Sequence, residues 1–318
     1  MKAAMRGSHE HIPVEVDDID SPTVEEAFEK TTLSINRQKI VKDVWQRESR
    51  KPLPKREGTI TNFEIQFARI LPNETEQASS TKKFVVYDLT CRSDTSTVAD
   101  PNPTTVERRY TDFLKLYEAL RKANPQLIVN VAFPKKRIMG NFTSELISER
   151  ALAFENFLDY AISVSALRDS EPFLSFLQDD ELQRACLLLD ERRNEQAVPI
   201  LENTFQLVNK IYLDKSKPVL LLLCRLVAAC TTSPIPHPSS EKWAELALRR
   251  FDHVSDVELL VLYIPLLNTC SYLFWQKGID AKQIHDRLEE MARKGIKVKD
   301  TLTLSQAIHA MDTRSETF

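Results

Sequence analysis

Glycine is scarce in this chain, with five residues in 318. The backbone loops that cradle nucleotide phosphates are missing with it: there is no G-x-x-x-x-G-K-[ST] and no G-x-G-x-x-G. No H-E-x-x-H or G-x-S-x-G occurs either, and His237, His253, His285 and His309 are scattered through the C-terminal half. These absences argue against an enzyme, and the sequence offers no catalytic residue, cofactor or metal site. His9 and His11 sit in a polar segment and read as solvated side chains. The five cysteines, Cys91, Cys186, Cys224, Cys230 and Cys270, are odd in number and form no C-x-x-C pair. They read as reduced, buried thiols of a cytoplasmic protein. An excess of positive charge is also lacking, with a net charge of -3. A general nucleic-acid binder carries a large basic excess, and a strand-binding sheet carries an aromatic ladder. Neither is present, so no nucleic-acid partner is expected and any polyanion site must be local.

Long apolar runs are few. Residues 1–20 have no continuous apolar core and carry Glu15, Asp17, Asp18 and Asp20, so no signal peptide is expected. Leu259 to Trp275 contains no charge, yet Pro265, Asn268, Thr269 and Ser271 interrupt it, and it is shorter than the ~20 residues of a membrane span. It reads as a buried helix.

What is present divides into three. Residues 1–57 are acidic from Glu15 to Glu29 and basic from Arg37 to Arg56. They read as a disordered tail, with a short helix around Val24–Trp45 as the other reading. From Gly58 the period is two: Phe63, Ile65 and Phe67 alternate with polar residues, Phe84 to Leu89 makes a second strand and Val106 to Tyr110 a third. Short polar connections favour an antiparallel meander. Helical spacing follows in Phe113, Leu116, Tyr117 and Leu120, then an extended stretch from Leu127 to Phe133. A longer helix is expected over Ser148–Val164, and a short closing helix around Phe173–Leu177. The expected fold of residues 58–180 is therefore α+β, a three-stranded antiparallel sheet packed on helices. Residues 181–318 read as all-α, with amphipathic runs near 181–193, 196–213, 217–231, 240–252, 256–276, 280–294 and 303–311. Breaks are expected at Pro199, Lys217-Pro218, Ser233 to Pro238, Gly278 and Gly295. Paired helices with short turns suggest a tetratricopeptide-like module.

The densest chemistry lies at Arg108-Arg109-Tyr110-Thr111-Asp112-Phe113, where a strand-like run passes into a helix-like one. A planar guanidinium fork grips a phosphate, and the ring beside it can stack on a sugar-like face. A second basic cluster follows at Pro134-Lys135-Lys136-Arg137, and a further cation, Arg150, stands near the start of the long helix. Together they suggest a phosphorylated inositol headgroup as ligand. Arg109 would hold a phosphate through charge-assisted bonds, each on the order of 1.5–3 kcal/mol net. Tyr110 would pack on the ring, Lys136 would neutralise the diester phosphate, and Arg150 would bond to ring hydroxyls. The plainer reading of these cations is a solvated surface; the order of the elements around them favours a built site.

Residues 58–180 resemble a phox-homology (PX) domain. The resemblance is carried by Arg109-Tyr110-x-x-Phe113, by Phe133-Pro134-Lys135-Lys136, by Ile147-Ser148-Glu149-Arg150, and by the order of three strands and then helices. It implies binding of phosphatidylinositol 3-phosphate, with Arg109 on the 3-phosphate, Tyr110 stacked on the inositol, Lys136 on the 1-phosphate and Arg150 on the ring hydroxyls. Arg108 would support the fold or the surface field. Lys135 and Arg137 would add membrane charge, and Ile138 and Met139, with Phe142 nearby, would enter the bilayer. The pattern departs from the family where an earlier loop proline is replaced by Val129-Asn130-Val131-Ala132. The extra charge of Lys135 and Arg137 leaves a bisphosphate such as the 4,5-bisphosphate open as ligand. The runs Glu107–Phe113, Phe133–Arg137 and Asn141-Phe142-Thr143 are similar to the sorting nexin 20 and sorting nexin 21 subgroup, whose PX domain precedes a helical PX-associated B domain. That implies a non-enzymatic adaptor, cytoplasmic and peripheral on early endosomes, holding a protein cargo or scaffold partner through residues 181–318. The alternative is a protein scaffold with weak or bisphosphate-preferring membrane binding.

Overall fold

The computed structural model describes residues 32–34, 59–72, 83–95, 98–137, 139–252, 257–299 and 301–312. The tail reading for residues 1–57, including the helix around Val24–Trp45, lies outside them apart from one three-residue strand, β1 (Thr32–Ser34). Three longer strands, β2 (Thr59–Pro72), β3 (Lys83–Thr95) and β4 (Thr104–Arg109), form an antiparallel meander. The sheet order is β1-β2-β3-β4.

The expected alternation holds in β2 up to Ile65. There a one-residue bulge shifts the register before Phe67, which turns Phe67 outward and brings Ala68 into the core in its place. In β4 the alternation is unbroken: Thr104, Val106 and Arg108 are buried while Thr105, Glu107 and Arg109 are exposed. The two adjacent arginines therefore point to opposite faces of the sheet.

Helices α1 (Tyr110–Ala123), α2 (Pro125–Ile128) and α3 (Ser144–Ser163) follow. The expected extended stretch from Leu127 thus begins as a one-turn helix, with Pro125 at its first position, where a missing N–H costs nothing. Phe113 of α1 stacks on Phe154 of α3 with centroids 3.8 Å apart, and Tyr87 of β3 meets Phe154 edge-on at 5.3 Å. These rings centre a core with Phe63, Ile65, Leu89, Val106 and Leu120. The α3 carboxylates also bond to the sheet. Asp159 accepts the Phe63 N–H at 3.0 Å and Glu155 the Ile65 N–H at 2.5 Å, satisfying donors that would otherwise be buried without partners.

After α4 (Ser165–Arg168) the closing helix is far longer than expected: α5 runs unbroken over Glu171–Asp190, through residue 180. Among the described residues, six helices follow: α6 (Asn194–Ile211), α7 (Lys217–Thr231), α8 (Ser240–Phe251), α9 (Val257–Lys277), α10 (Lys282–Arg293) and α11 (Leu304–Met311). The expected break at Pro199 is not observed; Pro199 lies inside α6. Its lost N–H would have bonded to Glu195 in the first turn, and the burial of Ala197, Val198 and Leu201 around it offsets that loss. Gly278 ends α9 at φ +69, a left-handed stop. Helix α7 is buried on every side from Val219 to Cys230, which makes it the centre of the second core. The one cation in this run, Arg225, is neutralised by Asp312 at 2.8 Å. All five cysteines are buried, and none is in a disulfide. No helix among the described residues is long and apolar enough to cross a membrane.

Helix α6 serves both cores. Leu207 and Ile211 join the core around the sheet, while Val198, Leu201 and Val208 join that around α7. Polar ties reinforce the seam. Lys210 pairs with Asp100 at 2.7 Å, and its ammonium also donates to the Asn102 carbonyl. Asn203 donates to the Thr105 carbonyl at 3.0 Å.

Candidate functional site

The helix signal that begins at Tyr110 places Arg109 at the junction of β4 and α1, as the residue before the first helical turn. Its backbone N–H donates to Asp112 at 2.8 Å, a capping bond that fixes the junction. Its exposed guanidinium lies on the ring of Phe84, 3.6 Å from the centroid, a cation–π contact that orients the fork and leaves its edge free. It forms no ion pair with the described residues.

Arg109 lines a pocket of about 330 Å³ together with Lys83, Phe84, Tyr110, Lys136, Arg137, Asn141, Phe142 and Arg150. The four residues expected to bind a headgroup, Arg109, Tyr110, Lys136 and Arg150, are therefore brought together from β4, α1, a loop and α3. Lys136 is exposed. Arg137 lines the pocket too, with Glu149 3.9 Å away. Lys135 is exposed and does not line the pocket. Met139 is 83% exposed and Phe142, which lines the pocket, is exposed too, whereas Ile138 lies outside the described residues.

Arg108 does not join the surface cations: it is 2% exposed, on the face of β4 opposite Arg109. Its guanidinium forks onto both carboxylate oxygens of Glu181 at 2.7 Å and donates to the Phe176 and Glu107 carbonyls. The strand's period of two excludes it from the pocket that its neighbour enters.

Arg150 is 3% exposed. Its guanidinium covers one face of Tyr110, 4.3 Å from the ring centroid, and donates to Asn141 Oδ1 at 3.0 Å. Its Nε and the hydroxyl of Tyr87 are both buried with no hydrogen-bond partner among the described residues. Burial pushes the Tyr87 hydroxyl up to about 12, and the Arg150 charge opposes that rise. Burial also raises Tyr110, again against Arg150. Both phenols therefore stay protonated hydrogen-bond donors, and Tyr110 uses its proton on the Pro134 carbonyl at 2.8 Å.

Sequence reasoning missed three residues of this site. Lys83 and Phe84 open β3 and form the wall under Arg109, and Asn141 links the basic loop to α3. Sequence spacing marks Phe84 only as a strand residue; the strand start beside Lys83 is the available signal.

A pocket that gathers five cations, Lys83, Arg109, Lys136, Arg137 and Arg150, has the donor set for a phosphorylated ligand. The PX domain family model matches residues 96–180, which contain four of the five. Sorting nexin-20 of Bos taurus is 33% identical over 233 residues, covering 72% of this chain and 68% of that protein. Sorting nexin-20 of Rattus norvegicus is 30% identical over 276 residues, covering 86% and 82%. The chain belongs to the sorting nexins. Sorting nexin-21 of Homo sapiens is 27% identical over 256 residues, 80% of this sorting nexin but 65% of the human protein. In this sorting nexin the meander and the helices packed on it are the PX fold, and a helical region follows.

Proposed function

We propose that this sorting nexin is a non-enzymatic adaptor of membrane trafficking that binds phosphatidylinositol 3-phosphate on early endosomes. Residues 58–180 form its lipid-reading PX domain and residues 181–318 hold a protein partner, after an N-terminal tail of residues 1–57. The observation that carries the reading is the convergence of five cations on one pocket, with the Arg109 fork exposed and held on Phe84. Arg109 takes the 3-phosphate, Tyr110 offers the ring face left open by Arg150, Lys136 takes the diester phosphate, and Arg150 bonds to ring hydroxyls. Lys135 and Arg137 face the anionic leaflet, where each contributes about 1 kcal/mol, and Met139 with Phe142 enters the interface. Lys83 favours a second reading, in which the additional cation accommodates a second ring phosphate.

Vesicle co-sedimentation across singly and multiply phosphorylated inositides, with wild type beside Arg109→Ala, tests this. Selective pelleting with the 3-phosphate is expected, and the substitution should cost about 2–5 kcal/mol of headgroup binding by leaving a phosphate unpaired. Equal pelleting of the two proteins removes Arg109 from the site. Pelleting confined to bisphosphates selects the second reading.

A further inference from the structure

The loop that carries Lys136 is fastened at both ends by side chains that donate to its own backbone carbonyls. At its start, the Tyr110 hydroxyl donates to the Pro134 carbonyl at 2.8 Å. At its end, Asn141 Nδ2 donates to the Arg137 carbonyl at 2.8 Å. Between these two bonds lie Lys135 and Lys136. Gly140, at φ +75, makes the left-handed turn that brings Asn141 back onto the loop.

Arg150 joins the two fastenings. It lies over the Tyr110 ring at 4.3 Å and donates to Asn141 Oδ1 at 3.0 Å. The chemistry of residue 141 is tightly specified. Its side chain must accept from a guanidinium, which only donates, and donate to a carbonyl, which only accepts. An amide does both at once; a carboxylate cannot donate.

We infer that Tyr110 and Asn141 are positioning residues that pin the Pro134–Arg137 segment, and so set where Lys136 meets the ligand. This rests on the headgroup reading above and adds to it. Tyr110 acts there through its ring face, whereas the pin is its hydroxyl, and the two are separable by one oxygen atom.

The test measures binding of the full chain to phosphatidylcholine vesicles containing phosphatidylinositol 3-phosphate. Tyr110→Phe keeps the ring and removes the pin, and Asn141→Ala removes the other. Each should weaken binding roughly three- to tenfold, the worth of one hydrogen bond. In a Lys136→Ala background each should have clearly less effect, because the position of the loop no longer matters. Without lipid, amide hydrogen exchange at residues 135–137 should rise in both variants. Silent substitutions, effects that multiply fully with Lys136→Ala, or unchanged exchange would overturn the inference. The headgroup reading fails separately, if wild type ignores the inositide or Arg109→Ala binds as well as wild type; the exchange measurement still decides the pins in that case.

Discussion

At the scale of the residue, the two arginines of β4 show how one amino acid does opposite work one position apart. Arg108 is a buried charge whose every hydrogen-bonding direction is met by Glu181, Phe176 and Glu107. Arg109 is an exposed charge held by an aromatic face. Removing one partner of a buried ion pair leaves the other uncompensated, at about 3–5 kcal/mol. Arg108→Ala should therefore lower the stability of the fold by that amount in chemical denaturation. Arg109→Ala should leave it within about 0.5 kcal/mol, as surface changes do. Equal destabilisation by both substitutions would contradict this division. The division was legible in principle, since a strand sends neighbours to opposite faces. What the sequence could not show was the partner, because Glu181 lies beyond the expected module boundary and only the packing of α5 against α1 brings it close. Asn141 was hidden for a similar reason: its role depends on a turn at Gly140 and on a partner nine residues away.

At the scale of the element, periodicity carried most of the secondary structure and failed where one residue breaks it. The strands, α1, α3 and the run of helices after 190 follow their apolar spacing. Phe67 departs because a bulge is invisible to a period-two pattern. Pro199 departs because tertiary burial outweighs the loss of one helical bond. Helix α3 departs in a way that spacing could not show: besides its apolar stripe, it turns two carboxylates toward the N–H groups of β2. Burial pushes Asp159 up to about 6 from 3.8, and the bond from Phe63 opposes this. A raised carboxyl binds its proton more tightly in the folded state. Its contribution to stability is thus fully present below about pH 3.8 and is lost as pH rises through about 6. Asp159→Asn retains an acceptor for Phe63 and cannot titrate. Relative to wild type, the variant should gain on the order of 2–3 kcal/mol between about pH 4 and pH 7. Parallel stability profiles for the two proteins would rule out a raised Asp159.

At the scale of the whole molecule, the helices after the PX fold are not a loosely tethered attachment. The pattern changes near residue 180, and α5 crosses that point without interruption. Helix α6 contributes Leu207 and Ile211 to the sheet-side core and Lys210 to a nearly buried pair with Asp100. Calorimetry of the full chain should accordingly show one cooperative transition, with calorimetric and van't Hoff enthalpies in agreement. A fragment ending at residue 180 strips Glu181 from Arg108 and uncovers the floor of the first core, so it should melt well below the full chain. Two separate transitions in the full chain, or a fragment as stable as the intact protein, would show the seam to be weak.

The alternation of β4 also has a mechanical meaning. Glu181 grips the side chain of Arg108, and a bound headgroup would grip that of Arg109, so a single peptide unit separates the two attachments. A partner tugging on the helices would load that unit almost directly, without stretching a flexible linker first. Tension between cargo and membrane would then converge on a strand that β3 holds by hydrogen bonds along its length.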